Sequence, residues 1–308
     1  MPRLALLLST LIWGATFPAT KAVLDQVPPL SFLFLRFLLG TLSVVGLFAL
    51  LGKRLRFDRD MLRISVIATV WLFLGYLLQT VGLRDTTASN SAFITALYVV
   101  FVPLFLRRRG WRVWLSAVLA TIGLWVLVRP TVTVNQGDAL TLGCAAAFAA
   151  HIACLERFTR VGDSASFFVW QLLLVTAAML PAMVWEGPAP SMFTPSAVLL
   201  VGLLVTGLLA TGAFAVQIWA QRFLPAQQVA LLFALEPVYA AWLAWWFLGE
   251  RLDAAGWLGG GIILGAVVLG STDPKVATVI EPPGMLAGRG ADPVRECETC
   301  VTRANARS

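Results

Sequence analysis

The chain has 308 residues, of which 59% are hydrophobic and only 13% are charged. Soluble domains average about 45–50% apolar and about 25% charged residues, and the mean hydropathy of +0.83 departs in the same direction. These values exclude a soluble enzyme, a disordered protein and a disulfide-stapled secreted module, because too few charges remain to cover a surface in water. The composition predicts an integral membrane protein whose solvent is the lipid bilayer.

Ten long apolar segments follow one another along the chain, each close to the roughly 20 residues that a helix needs to cross a bilayer. The predicted spans are residues 4–24, 31–51, 61–82, 88–106, 111–129, 137–157, 164–184, 195–221, 227–247 and 254–271. Residues 272–308 are rich in Pro, Gly and charge, which predicts a disordered cytoplasmic tail. Cys297 and Cys300 in that tail are expected to be free thiols, since a zinc site normally needs two further ligands. The predicted fold class is an all-α integral membrane protein.

The distribution of Lys and Arg predicts the orientation of the chain. If the N-terminus is cytoplasmic, 13 of the cations beside the spans lie inside and four lie outside. The positive-inside rule then places both termini in the cytoplasm, with a multi-pass chain in the cell inner membrane. Arg36, little more than a turn inside the second span, is expected to snorkel to the interface. No nucleic-acid partner is expected, because no soluble basic face exists.

Related residues recur about 135 positions apart, which predicts an internal repeat. The matched pairs include Trp13 and Phe148, Lys21 and Glu156, and Pro103 and Pro237. Five helices used twice give a first unit at 1–135 and a second at 136–271. Because five is odd, the second unit enters the membrane from the opposite face. This inverted repeat is typical of secondary transporters, whose site lies near the midplane between the halves.

Three segments carry a family resemblance. They are WGATFPATK (Trp13 to Lys21), QTVGLRDTTASNSAFITALYVVFVPLF (Gln79 to Phe105) and LLFALEPVYAAWLAWWFLGERL (Leu231 to Leu252). They resemble the drug/metabolite transporter superfamily, and within it the EamA-type ten-helix branch. The resemblance implies an exporter of amino acids and other small metabolites, most similar to the broad-specificity exporters of aromatic amino acids.

Polar and aromatic side chains form stripes at helical spacing within the spans. Polar groups that face lipid without a partner cost several kcal/mol each, so these stripes are expected to face a central, hydrated cavity that binds substrate. The alternative is a purely structural role, in which the polar stripes form hydrogen bonds between packed helices, worth about 0.6 kcal/mol per contact. The predicted substrate-binding residues are Trp13, Thr16, Phe17, Tyr76, Gln79, Asn90, Ser91, Thr95, Tyr98, Thr211, Phe214, Gln217, Glu236 and Tyr239.

Two ionisable residues are candidates for proton coupling. Glu236 lies near the centre of the ninth span, directly before Pro237. Its functional interpretation is contact with a substrate ammonium or proton coupling, and its structural interpretation is a pair with Arg36, His151 or a tyrosine hydroxyl. His151, the only histidine, is either a proton relay or a packing residue.

Other functional classes are weighed against a transporter. The sequence has no H-E-x-x-H zinc motif and no phosphate-binding loop, so no catalytic residue, metal site or cofactor is predicted. A membrane-embedded enzyme acting on a lipid or peptide, or an exporter of unrelated drugs, remains the alternative. The favoured prediction is a secondary or facilitated transporter, monomeric, with amino acids as substrates. Its specificity should be broad, because an apolar pocket separates methylene homologues by only about 1–3 kcal/mol.

Overall fold

The computed structural model describes residues 1–57, 59–129, 135–159, 163–239 and 254–271. The predicted tail 272–308 and residues 240–247 of the predicted ninth span lie outside the described residues. The α-helices are α1 Pro2–Leu24, α2 Pro29–Leu50, α3 Arg59–Gly82, α4 Ala88–Ala96, α5 Tyr98–Phe105, α6 Trp111–Val128, α7 Gln136–Phe158, α8 Ser164–Glu186, α9 Ala197–Leu203, α10 Ala210–Ala220, α11 Ala226–Phe233 and α12 Ala254–Ser271. A π-helical segment, Leu204–Leu209, joins α9 to α10.

Eight helices in the described part of the chain are long and apolar enough to span a membrane. Two of these spans are composite, because α4 continues into α5 and α9 continues through the π segment into α10. The first eight predicted spans therefore each coincide with a helical segment. The predicted tenth span corresponds to α12, a shorter apolar helix, and α11 is the described beginning of the predicted ninth. Exposed leucines and valines, such as Leu42, Leu47, Leu200 and Val268, give the bundle an apolar exterior.

Local sequence fixes where several helices begin. Asn135 accepts a hydrogen bond from the Asp138 N–H, and the Asp138 side chain accepts one from the Asn135 N–H, which forms a capping box at the start of α7. Asp163 and Ser196 cap α8 and α9 by accepting backbone N–H groups of their first turns. These side chains satisfy donors that helix geometry leaves without an internal partner.

Two spans are interrupted, and a proline accounts for the second interruption. Helix α4 ends at Ala96, before Leu97, whereas Pro103 lies inside α5; α11 ends at Phe233, four residues ahead of Pro237. A proline has no N–H for the carbonyl four residues earlier, and its ring clashes with that carbonyl. Residues 236–239 then resume helical structure. Tyr98 and Glu236 thus each lie at the start of a helical segment that follows an interruption.

The helices pack as antiparallel pairs drawn from the two halves of the chain. Helix α6 packs on α12, α3 on α7, α1 on α9 and α10, and α2 on α8. Along α6 and α12, Gly123 approaches Gly259 while Ser116 approaches Gly270, so residue numbers rise in opposite directions. Between α2 and α8, the Thr41 and Thr176 hydroxyls are hydrogen-bonded at 2.8 Å. These contacts leave a space between α1, α3, α5, α7 and α10.

Candidate functional site

A cavity lies between the packed helices and collects side chains from both halves of the chain. Its enclosed volume is about 60 Å³, within about 540 Å³ of space between atoms counted out to its mouth. The lining residues are Trp13, Thr16, Phe17, Leu72, Tyr76, Gln79, Thr95, Tyr98, Phe148, His151, Ile152, Phe214, Gln217, Phe233 and Glu236.

Most of the residues predicted to bind substrate or couple protons lie in this lining. Those that the structure brings together are Trp13, Thr16, Phe17, Tyr76, Gln79, Thr95, Tyr98, His151, Phe214, Gln217 and Glu236. They come from five spans and from the described start of the predicted ninth. Their spacing of three or four residues within each helix is the reason that they share a face.

Four predicted residues lie outside the cavity lining. Asn90 and Ser91 are buried near the start of α4, and only Thr95, one turn further along this helix, reaches the cavity. Thr211 faces α2, since a Cβ added to Gly40 would meet the Thr211 hydroxyl. Tyr239 is half-buried and packs against an apolar cluster of the core.

Four lining residues were not predicted from the sequence: Leu72, Phe148, Ile152 and Phe233. All four are apolar, so polarity within a span could not single them out. Phe148 did carry a signal, because it matches Trp13 at the shift of 135 residues. Leu72 lies on the same face of α3 as Tyr76, one turn away.

The Tyr98 hydroxyl donates a hydrogen bond to Oε1 of Glu236 at 3.2 Å. Both residues are buried and follow the helix interruptions described above. Of the partners considered for Glu236, the structure therefore selects a tyrosine hydroxyl. Oε2 of Glu236 receives no hydrogen bond from the described residues.

The remaining polar groups of the lining are partly held by hydrogen bonds to residues behind the cavity. Nε2 of His151 lies 2.9 Å from Oε1 of the fully buried Gln171. The Gln217 amide donates to Oε1 of Gln221 at 3.0 Å, and the Gln221 amide donates to the carbonyl of Ile152. Behind the wall of the cavity, these amides fix the orientation of the His151 and Gln217 side chains.

The first half supplies a second set of polar groups. The Gln79 amide donates to the Thr95 hydroxyl at 3.2 Å, and the Thr16 hydroxyl donates to the carbonyl of Trp13. Nε1 of Trp13 is buried and has no hydrogen-bond partner among the described residues. An unpaired buried N–H costs about 1–3 kcal/mol, and this indole N–H becomes available to a solute only when the lining moves.

Arg36 does not snorkel, and that expectation is wrong. Its side chain is only 4% exposed, and its guanidinium lies 4.7 Å from the centroid of the Tyr76 ring. A second ring, Phe37, lies 5.4 Å away. Cation–π contacts of this kind offset part of the cost of burying the charge. Arg36 therefore supports Tyr76 from behind and does not itself line the cavity.

Charged side chains join neighbouring helices toward the two ends of the bundle. At one end, the Lys21 ammonium donates to the carbonyls of Leu83, Arg84 and Thr86 at 2.7–3.0 Å. These carbonyls lie between α3 and α4. We call this contact the lysine latch.

At the opposite end, Glu156 joins three elements. Its Oε1 pairs with the Arg108 guanidinium at 3.0 Å, and its Oε2 accepts the N–H of Ala226 at 3.0 Å. Arg108 lies between α5 and α6, and Ala226 begins α11. We call this contact the glutamate latch. Among the described residues, no group of three His, Cys, Asp or Glu side chains has the arrangement of a metal site.

Comparisons with known proteins identify a family. The model of the EamA-like transporter family matches residues 2–129 and again residues 135–272. An "Uncharacterized transporter" of Archaeoglobus fulgidus is 32% identical over 275 residues, which is 86% of this chain and 84% of that protein. The "Uncharacterized transporter YwfM" of Bacillus subtilis is 26% identical over 294 residues, covering 89% and 95% of the two chains. A crystal structure with 17% identity superposes with a TM-score of 0.69 over 88% of this chain and 98% of that one, which shows the same fold.

Proposed function

The chain belongs to the EamA-like transporter family, and we propose that it exports amino acids and related small metabolites across the cytoplasmic membrane by alternating access. The observation that carries this proposal is the cavity, in which aromatic and hydrogen-bonding side chains from several helices converge at one place inside an apolar bundle. A site of this composition suits small amphiphilic solutes, since aromatic walls take an apolar side chain and polar groups take the charged end.

We further propose that ten helices form two inverted repeats, at 1–135 and 136–271. Six pairs of lining residues support this, because the members of each pair are separated by either 135 or 138 positions. The pairs are Trp13 and Phe148, Thr16 and His151, Phe17 and Ile152, Tyr76 and Phe214, Gln79 and Gln217, and Tyr98 and Phe233. The hydrogen bond between Thr41 and Thr176 also joins residues 135 positions apart. Such contacts are expected near a twofold pseudo-axis between repeats.

The two latches favour alternating access. Lys21 and Glu156 are 135 positions apart, yet they act at opposite ends of the bundle. Each therefore closes one entrance with the same element of its own repeat, near the end of α1 or of α7. Opening one latch while the other stays closed would expose the cavity to one side at a time.

The orientation follows from the cations. With the N-terminus in the cytoplasm, the end that carries the glutamate latch is cytoplasmic, and the lysine latch faces outward. Glu236 and His151 are the proposed coupling residues if a proton gradient drives export, because they are the two ionisable acid–base groups of the described lining other than the tyrosines.

The test is flux through the purified full chain in liposomes. Labelled phenylalanine, methionine and threonine should show saturable counterflow, and unlabelled solute on the opposite side should accelerate it. A pH gradient should drive net movement if Glu236 couples protons, and Glu236→Gln should abolish the effect of the gradient. Asp60→Asn serves as the control, since this exposed acid lies at the start of α3. The absence of counterflow for all three amino acids, in protein that unfolds cooperatively, would refute amino acid export.

A further inference from the structure

The charges in the cavity are unbalanced. Among the described lining residues Glu236 is the one carboxyl group, and no lysine or arginine is present. Arg36 lies behind the ring of Tyr76, with its charge directed at aromatic faces. The described lining therefore offers a carboxyl group to a positive group and neither a lysine nor an arginine to a negative one.

The carboxyl group has one oxygen available. Oε1 of Glu236 accepts the hydroxyl of Tyr98, while Oε2 has no hydrogen bond from the described residues. An ammonium has three donors, and its hydrogen bonds to a carboxylate are charge-assisted. Oε2 can accept one of them without displacing Tyr98.

The remaining walls suit a cation as well. Seven of the described lining residues are aromatic: Trp13, Phe17, Tyr76, Tyr98, Phe148, Phe214 and Phe233. Aromatic faces attract ammonium groups, and the attraction grows where water is scarce. Several of these rings meet edge to face, such as Trp13 with Phe233 and Tyr76 with Phe148.

The described lining offers fewer binding partners to a solute carboxylate than to an ammonium. Nε1 of Trp13 is the one buried lining donor without a partner among the described residues. The Tyr98 hydroxyl already donates to Glu236, and the Gln79 and Gln217 amides each donate one of their two N–H groups elsewhere, so only neutral amide donors remain for a carboxylate. A carboxylate would also stand in the same small cavity as Glu236, whose ionised form would repel it.

We infer that the site recognises the ammonium group of its solutes and does not read their carboxylate, so that small primary amines are its best ligands. This inference rests on the proposed transport function and narrows its substrate class. The enclosed part of the cavity is small, so a small amine fits it with less movement of the lining than an aromatic amino acid does. The larger amino acids would require the side chains of the lining to move apart.

Three probes that share one apolar skeleton test the predicted preference for an ammonium over a carboxylate. Isobutylamine carries only the ammonium, valine carries both groups, and 3-methylbutanoate carries only the carboxylate. Binding to the purified full chain is measured by titration calorimetry at neutral pH. Isobutylamine should bind at least about ten-fold more tightly than valine, and 3-methylbutanoate should bind most weakly of the three.

Substitution at Glu236 tests the cause of that preference. Glu236→Gln should weaken isobutylamine by about ten- to one-hundred-fold, while Asp60→Asn should leave all three affinities unchanged. If Glu236→Gln does not fold, Glu236→Asp keeps the charge on a shorter arm and should retain the order of the probes. Tighter binding of valine or 3-methylbutanoate than of isobutylamine overturns this inference but does not contradict the proposed transport function. Failure of all three probes to bind, together with absent amino acid counterflow, refutes the proposed function itself.

Discussion

The lysine latch should control access to the cavity from outside, and Lys21→Met tests it. The substitution keeps a long apolar side chain and removes three hydrogen bonds from the ammonium to backbone carbonyls at 2.7–3.0 Å. A hydrogen bond to a charged group contributes about 1.5–3 kcal/mol when it is buried. Lys21 is half-exposed and regains water when the latch opens, so the net loss is smaller. We expect about 1–2 kcal/mol, which shifts the balance toward the outward-open state by about 5–30-fold.

The assay uses a reporter cysteine inside the cavity. In a background with the four native cysteines replaced by serine, Thr16→Cys is labelled with a membrane-impermeant maleimide added outside the cell. Lys21→Met should raise the labelling rate by about 5–30-fold. Lys53→Met is the matched control, because Lys53 lies exposed beyond the far end of α2 and should not change the rate. An unchanged rate in folded Lys21→Met protein would contradict the gating role of this latch.

Three further predictions concern the packing of the bundle and the chemistry of the cavity. Gly137→Ala places a Cβ against the backbone carbonyl of Gly82 in α3 and should lower the free energy of unfolding by about 1–3 kcal/mol. Gly46→Ala, with nothing within 4 Å of the added Cβ, should raise the free energy of unfolding by about 0.5–1 kcal/mol. Equal effects of the two substitutions on unfolding in detergent would refute the close contact of α3 and α7 at Gly137. Tyr98→Phe removes the donor to Glu236 and should lower kcat/KM for methionine counterflow by about ten-fold, whereas wild-type kinetics would make that hydrogen bond irrelevant to transport. Arg36→Lys keeps the charge but loses the planar stacking group, and should lower Tm by about 2–6 °C in a thermal melt; an unchanged Tm would contradict a supporting role.

The positions of most membrane-spanning helices can be predicted from the sequence. In a bilayer every backbone polar group must be satisfied within the helix, so apolar length translates directly into helices. The first eight predicted spans accordingly coincide with helical segments. The breaks at Leu97 and after Phe233 were not placed by this argument. Pro237 explains the second, because it removes the hydrogen bond to the Phe233 carbonyl, but Pro103 lies inside α5 and does not mark the first.

The cavity lining was partly predictable for the same reason. Polar residues such as Gln79 and Gln217 have few places to lie other than an interior, so their stripes identify the faces that converge. Apolar lining residues such as Ile152 carry no such signal, since Ile is equally at home against lipid. Thr211 shows the opposite error, because its hydroxyl serves close packing against α2.

Arg36 shows a limit of arguments based on depth. Its position near the end of a span favoured snorkelling, but two rings from α2 and α3 enclose the guanidinium. Only the tertiary packing of α2 on α3 brings Tyr76 over Arg36, and no local pattern in the sequence encodes that contact.

Solute protection of Thr16→Cys tests the central claim most directly, namely that transported solutes occupy the cavity between the two halves. The maleimide labelling rate is measured in purified, cysteine-replaced protein with and without saturating isobutylamine or methionine. Occupancy of the cavity predicts that either solute slows labelling several-fold, and that Glu236→Gln removes the protection by isobutylamine. Labelling that proceeds at one rate with or without solute, in protein that still catalyses counterflow, would place the transport path elsewhere.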